Sequence, residues 1–180
     1  MGFGKTFSLS LVAFIGLNFI VSLLYLALGP GFDELLNRFN PNSPDYAPLM
    51  TIYYLFGSIA SVPSDILNWV IVDPLFNSNM THLVLGIGFL VAPLIAAILA
   101  GKFAESKLQG SSGWLLTVII STVAMIIGMF LSPKFQTYLT NLYPTWSSFE
   151  LILIYLVISS VVNIIFYGFF ALLVSKTEYY

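Results

Sequence analysis

Hydrophobic and polar positions in this chain separate into long blocks. Four apolar runs, residues 7–29, 82–101, 113–132 and 149–175, are each about 20 residues or longer and hold hardly any charge. A helix rises about 1.5 Å per residue, so roughly 20 apolar residues cross the ~30 Å hydrocarbon core of a bilayer. The pattern predicts an all-α, polytopic integral membrane protein, a four-transmembrane-helix bundle that forms one membrane domain over residues 1–180. The first run is longer than a signal-peptide core, and the small-x-small site Ala27-Leu28-Gly29 is followed by Pro30, so it is expected to stay as an anchor. Met1-Gly2-Phe3-Gly4-Lys5-Thr6 also fits the loose pattern for N-myristoylation.

Between the first two runs lies a cap, residues 30–81, too long and too apolar for a plain connector. Pro41, Pro44 and Pro48 break it, and Leu49 to Val62 then forms an apolar stretch too short to cross as a helix. Pro63-Ser64-Asp65 reads as a helix start, with Ser64 as N-cap and Asp65 complementing the positive end of the dipole. Asp73-Pro74 reads as its end. The first reading is a pair of short helices lying in the membrane interface, anchored by Tyr53, Tyr54 and Trp69. The second is a re-entrant hairpin with Pro63 at its tip, which would carry Ser61, Ser64, Asp65 and Asn68 into the membrane. A third topology makes Leu49 to Val72 a fifth span, at the cost of placing Lys102 and Lys107 outside.

Within the spans, small and polar residues recur at helical spacing. Gly88, Ala92, Ala96 and Ala100 form a small-residue ridge in the second span; Thr117, Ser121, Ala124, Gly128 and Ser132 line the third. Tyr155, Ser159, Asn163 and Tyr167 share one stripe of the fourth, and Asn18, Ser22 and Tyr25 one stripe of the first. By depth, Asn18, Ser121, Thr122 and Asn163 fall near the middle of their runs, while Pro93 frees the carbonyl of Phe89. Converging, they would form a neutral layer at the midplane, whose roles are interhelical hydrogen bonding or the binding of a polar solute. No ionisable residue falls at that depth in the four runs, which argues against proton relays and voltage sensing.

Composition and charge agree with membrane residence. Hydrophobic residues make up 58% of the chain and charged residues 8%, against roughly a quarter charged in soluble domains. A net charge of -2 excludes an electrostatic footprint for nucleic acid. The absence of cysteine excludes disulfides, thiolate metal sites and Cys nucleophiles. Lys5, Lys102, Lys107 and Lys176 fall on one side of the predicted topology and only Arg38 and Lys134 on the other. By the positive-inside rule both termini are cytoplasmic, and the plasma membrane of a prokaryote is the expected location.

Two groups invite chemical readings. Gly110-Ser111-Ser112-Gly113 is similar to the Gly-x-Ser-Gly of rhomboid intramembrane proteases, and Asn79-Met80-Thr81-His82-Leu83 resembles their His-rich second span. That resemblance implies a serine nucleophile with a histidine base, yet here His82 precedes the serines and the topology separates them by a bilayer thickness. Ser111 or Ser112 reads instead as the N-cap of the third span. Asp73, Asn77, Asn79 and His82 form a sparse set of oxygen ligands with one imidazole, so Asp73 and His82 are weak metal candidates. Asn79-Met80-Thr81 matches a glycosylation sequon close to the membrane. The chain carries no phosphate-binding glycine loop and no haem-like pair of histidines, and no cofactor is expected.

These features point to a small non-enzymatic membrane protein, an accessory or structural subunit that docks on protein partners or on itself through its small-residue faces and cap. The alternative is a small permease or channel component for a polar or weakly charged solute, using Asn18, Ser121, Thr122 and Asn163, with Asp65 and Asn68 as candidates in the cap.

Overall fold

The computed structural model describes residues 3–76, 80–143 and 148–176. Four helices are long and apolar enough to cross a membrane: α1 (Phe3–Leu28), α6 (Met80–Lys102), α7 (Lys107–Leu131) and α9 (Phe149–Val174). Among the described residues no strand occurs. Each helix begins or ends close to the predicted run, with one shift. The third span starts at Lys107, six residues before the predicted 113, because the Ser106 side chain caps it by accepting from the Gln109 N–H at 3.3 Å. Ser111 and Ser112 are therefore inside the helix and are not its cap. The start of α9 is capped in the same way by Ser148.

The long helices pack as a bundle in which α1 and α9 each lie against both α6 and α7. Two glycines set the closest approaches. A Cβ on Gly88 would sit 2.0 Å from Val21 Cγ1 of α1, and one on Gly101 would sit 2.1 Å from the Ala171 carbonyl oxygen of α9. The predicted ridge is thus consumed inside the chain: Gly88, Ala92, Ala96 and Ala100 are all buried, and the small-residue face is closed to outside partners. Pro93 lies within a continuous α6.

Polarity is arranged inside out. On α1 the buried residues are Thr6, Ser10, Phe14, Asn18, Ser22 and Leu26, four apart, whereas Val12, Leu24 and Leu28 are exposed. On α7 and α9, Thr117, Ser121, Ser159 and Asn163 are fully buried while Ile127, Phe130, Val161 and Ile165 face outward. An apolar exterior around a polar interior is stable in hydrocarbon, where unpaired polar groups are costly, and unfavourable in water.

The cap occupies one end of the bundle. After α1, Gly31 adopts φ +87°, a left-handed conformation that glycine tolerates, and turns the chain into α2 (Phe32–Phe39). Past the proline break, residues Pro48–Ala60, which include α3 (Ile52–Phe56), run down into the bundle. Residues Pro63–Phe76 run back out, through α4 (Pro63–Leu67), a π-helical turn and α5 (Asp73–Phe76), bent by 101° from the first limb. The ingoing limb packs on α1 and α7, with Tyr53 edge-on to Phe89 (5.7 Å) and to Tyr138 (5.4 Å). The return limb packs on α6, where Gly86 leaves room for it: a Cβ there would lie 2.8 Å from Val70 Cγ2.

This arrangement corrects the first reading of the cap. The two short helices do not lie across the ends of the spans; they form a hairpin wedged between them. Two local predictions also fail. The N-cap of the return limb is Val62, with Pro63 at the first helical position, and Ser64 is not the cap. Asp73-Pro74 does not end the helix, because the chain widens into a π turn at Asn68–Val72 just before Pro74, the stretch that contains the carbonyl a proline ring would clash with. Helix α8 (Pro133–Leu142) closes the cap, capped by Ser132 and burying Phe135 and Leu139.

Candidate functional site: the hairpin tip and its polar anchors

The hairpin tip, Gly57 to Ser61, is buried throughout, and Ser58, Ile59 and Ser61 are fully enclosed. Breaking a helix at depth leaves carbonyls without backbone partners, and side chains of α9 supply them. Ser159 Oγ donates to the Ile59 carbonyl at 2.6 Å; Asn163 Nδ2 donates to the same oxygen at 3.2 Å and to the Ser61 carbonyl at 3.1 Å. Asn163 lies fourteen residues into α9, about 21 Å along a helix of roughly 39 Å. The tip therefore reaches the middle of the bundle. From the other side, Ser22 Oγ of α1 donates to the Tyr54 carbonyl at 3.1 Å, and Trp114 Nε1 of α7 donates to the Asn163 carbonyl at 3.2 Å.

The four predicted midplane residues bond to different partners rather than to one another. Asn163 anchors the hairpin. Thr122 pairs with Ser160 at 2.6 Å across α7 and α9, while each hydroxyl also bonds to its own helix. Asn18 and Ser121 bond to carbonyls of their own helices, Phe14 at 2.9 Å and Thr117 at 2.7 Å. Some polar capacity stays unused: the carboxamide oxygens of Asn18 and Asn163 and the hydroxyls of Ser58 and Tyr167 are buried without hydrogen-bond partners. Sequence reasoning missed Ser10, which accepts from Thr117 Oγ1 at 3.0 Å, although it lies on the same four-residue stripe of α1 as Asn18 and Ser22; Ser159 was placed on the α9 stripe but not given a role.

The wedge also brings an acid to where the four spans alone predicted none. Tyr155 in the second turn of α9 donates its hydroxyl to Asp65 of the return limb, and Tyr143 lies 2.5 Å from Ser61 Oγ. Trp69, Tyr143 and Tyr155 enclose this group, with Tyr143 6.2 Å from Trp69 and 5.5 Å from Tyr155 between ring centres. Burial pushes the Tyr143 hydroxyl up to about 12, with its hydrogen bond to Ser61 acting in the opposite direction. Asn68, the second cap candidate, is one turn further out on the exposed side of the same limb.

The remaining candidates separate. His82 Nδ1 lies 2.7 Å from Asp73 Oδ2 at the cap end; Asn77 and Asn79, the asparagine of the sequon, lie outside the described residues. Among the described residues no group of three or more His, Asp or Glu side chains could hold a metal ion. Ser111 and Ser112 line an apolar groove of about 520 Å³ between α7 and α9 near their other ends, far from His82. The serine-histidine geometry of an intramembrane protease is not present among these residues. In the cap, Arg38 is buried, pairs with Glu34, and stacks 4.9 Å over Tyr54 and 5.4 Å over Tyr138, a cluster that the spacing Glu34 to Arg38 could have signalled.

Compared with family models, curated proteins and solved structures, the chain matches none of them.

Proposed function

We propose that this chain is a multi-pass integral membrane protein without catalytic activity that serves as a subunit of a larger membrane assembly. The apolar exterior and polar interior of α1, α7 and α9 support membrane residence. Lys5, Lys102, Lys107 and Lys176 at the end opposite the cap favour cytoplasmic termini, as expected in the plasma membrane of a prokaryote.

One observation carries the subunit reading. The return limb turns Ser64 and Asn68 to the exterior and leaves Asp65 partly exposed, beside the second turn of a spanning helix. Lipid is a poor neighbour for such a surface: an acid costs about 2.5–3.5 kcal/mol at the centre of a spanning helix on insertion scales, which bounds the cost at Asp65 from above. A protein neighbour removes that cost. The reading is tested by extraction from the native membrane in mild detergent, where a defined hetero-complex is expected. A lone polypeptide that moves a solute into liposomes by itself would refute it.

The insertion of the hairpin to mid-bundle favours a second reading, a permease component. Broken helices at such depth line substrate sites in transporters. In this structure the tip carbonyls are taken by Ser159 and Asn163, so transport requires the wedge to move. Cysteines placed at Asn163 and Asp65 and probed with water-soluble thiol reagents test it; protection of both in the native membrane excludes it.

A further inference from the structure

The return limb presents an outward face that continues through its π turn. Ser64, Leu67, Asn68, Ile71, Val72, Leu75 and Phe76 are exposed along it, with Leu67, Ile71 and Leu75 at 47%, 49% and 73%. Asp65 adjoins the deep end of this face. Its carboxylate accepts from the Tyr155 hydroxyl, a neutral donor, and among the described residues no cation pairs with it. A face that is apolar along most of its length, with a carboxylate and two neutral polar groups at its deep end, is complementary to a helix of matching polarity.

We infer that this face seats a transmembrane helix of a different protein, one that presents a lysine or arginine to Asp65 in the cap-side half of the membrane. The inference rests on the subunit reading and names the partner's chemistry. Charge complementarity argues against a second copy of this chain as the occupant. Of its six basic residues, Lys5, Lys102, Lys107 and Lys176 belong to the end opposite the cap. Arg38 is buried against Glu34 and two tyrosine rings, and Lys134 donates to the Pro44 carbonyl at 2.5 Å in the cap. His82 is already committed to Asp73. Each is thus at the far end of the bundle or already engaged in the cap. Asp65 meets Tyr155 six residues, about 9 Å, inside the cap-side end of α9, which favours a helix over a lipid headgroup as the occupant.

The test places a photo-crosslinking residue at Leu67 or at Ile71 of the full chain in its native membrane. The expected product joins each position to one other polypeptide, on a spanning helix with a basic residue level with Asp65. Asp65→Asn, which keeps a hydrogen-bond acceptor for Tyr155, should lower the yield of that product about tenfold. Asp65→Lys combined with an acidic residue at the partner's basic position should restore it. Ile71→Trp, a bulky change on an exposed site, should block the product in a chain that elutes normally in detergent, so the idea stays falsifiable if the Asp65 variants fold poorly. Adducts with a second copy, adducts with lipid alone, or a yield indifferent to both Asp65→Asn and Ile71→Trp would overturn it. If a partner copurifies but crosslinks only through the α7 and α9 groove, at Leu108 or Ile165, the subunit reading stands and this inference fails. If no partner is recovered, both fail.

Discussion

The hairpin tip is held by a carbonyl with two donors, and that sharing has a measurable signature. Ile59 O accepts from Ser159 Oγ at 2.6 Å and from Asn163 Nδ2 at 3.2 Å, whereas Ser61 O accepts from Asn163 at 3.1 Å. Ser159→Ala leaves Ile59 O with Asn163, so the expected cost is about 0.5–1.5 kcal/mol, the net value of one hydrogen bond. Asn163→Ala leaves Ile59 O with Ser159 but strips the Ser61 carbonyl in a fully buried turn, which costs about 1–3 kcal/mol for desolvation alone. Only the double variant orphans Ile59 O. It should therefore be less stable than the sum of the singles by about 1 kcal/mol, within the range of coupling measured between polar groups in membrane helices. The assay is equilibrium unfolding of the four proteins in lipid-detergent micelles titrated with a denaturing detergent. An isotope-labelled Ile59 carbonyl should in addition shift to higher infrared frequency in each single variant and furthest in the double variant. Additivity within about 0.3–0.5 kcal/mol, with an unshifted carbonyl, would refute the shared anchor.

Gly101→Ala should reduce the folded fraction strongly, because the added Cβ would lie 2.1 Å from a backbone oxygen that cannot rotate away; overpacking of this kind costs about 1–3 kcal/mol. Gly16→Ala, where no atom lies within 4 Å of the new Cβ, should instead gain up to about 1 kcal/mol from helix propensity, and the same thermal melts in detergent compare the two. Tyr143→Phe removes the partner of Ser61 Oγ at the hairpin tip and should cost about 1 kcal/mol. Hydrogen exchange should then quicken over residues 48–76 while α6 and α9 keep their protection; uniform loss across the bundle would count against a local latch.

The spans were legible because their signal is a bulk quantity. A run of twenty apolar residues needs no partner to be recognised, and each of the four helices falls where its run lies. Boundaries were less so, since they depend on single caps: Ser106 was passed over because Gly110 to Gly113 looked like the break before the third span. The stripes were legible in part: spacing puts Asn18 and Ser22 on one face of α1, and the buried face extends back through Ser10 and Thr6, which lie outside the predicted stripe. Spacing cannot say which helix a stripe meets, however. The ridge of Gly88, Ala92, Ala96 and Ala100 read as a docking surface, yet the chain's own helices cover it, Val21 of α1 pressing on the Gly88 backbone.

The hairpin was legible as a possibility and not as an outcome, and the reason is physical. An amphipathic segment lying in an interface and one wedged into a bundle have the same local sequence signature; what separates them is whether distant residues satisfy the break. Here those residues are Ser22, Ser159 and Asn163, between 32 and 104 residues away along the chain from the carbonyls they serve. The unpaired carbonyls of Ile59 and Ser61 and the polar stripe of α9 are therefore two halves of one feature. Read apart, Asn163 suggests a midplane polar layer, and Pro63 either the start of an interfacial helix or the tip of a re-entrant hairpin. Read together, the stripe exists to hold the tip, and the polarity left over, at Asp65, Ser64 and Asn68, faces outward on the return limb. The hairpin thus divides the polar residues of the chain into those that hold its tip and those left at the surface of the return limb, a division that depth along the spans does not reveal.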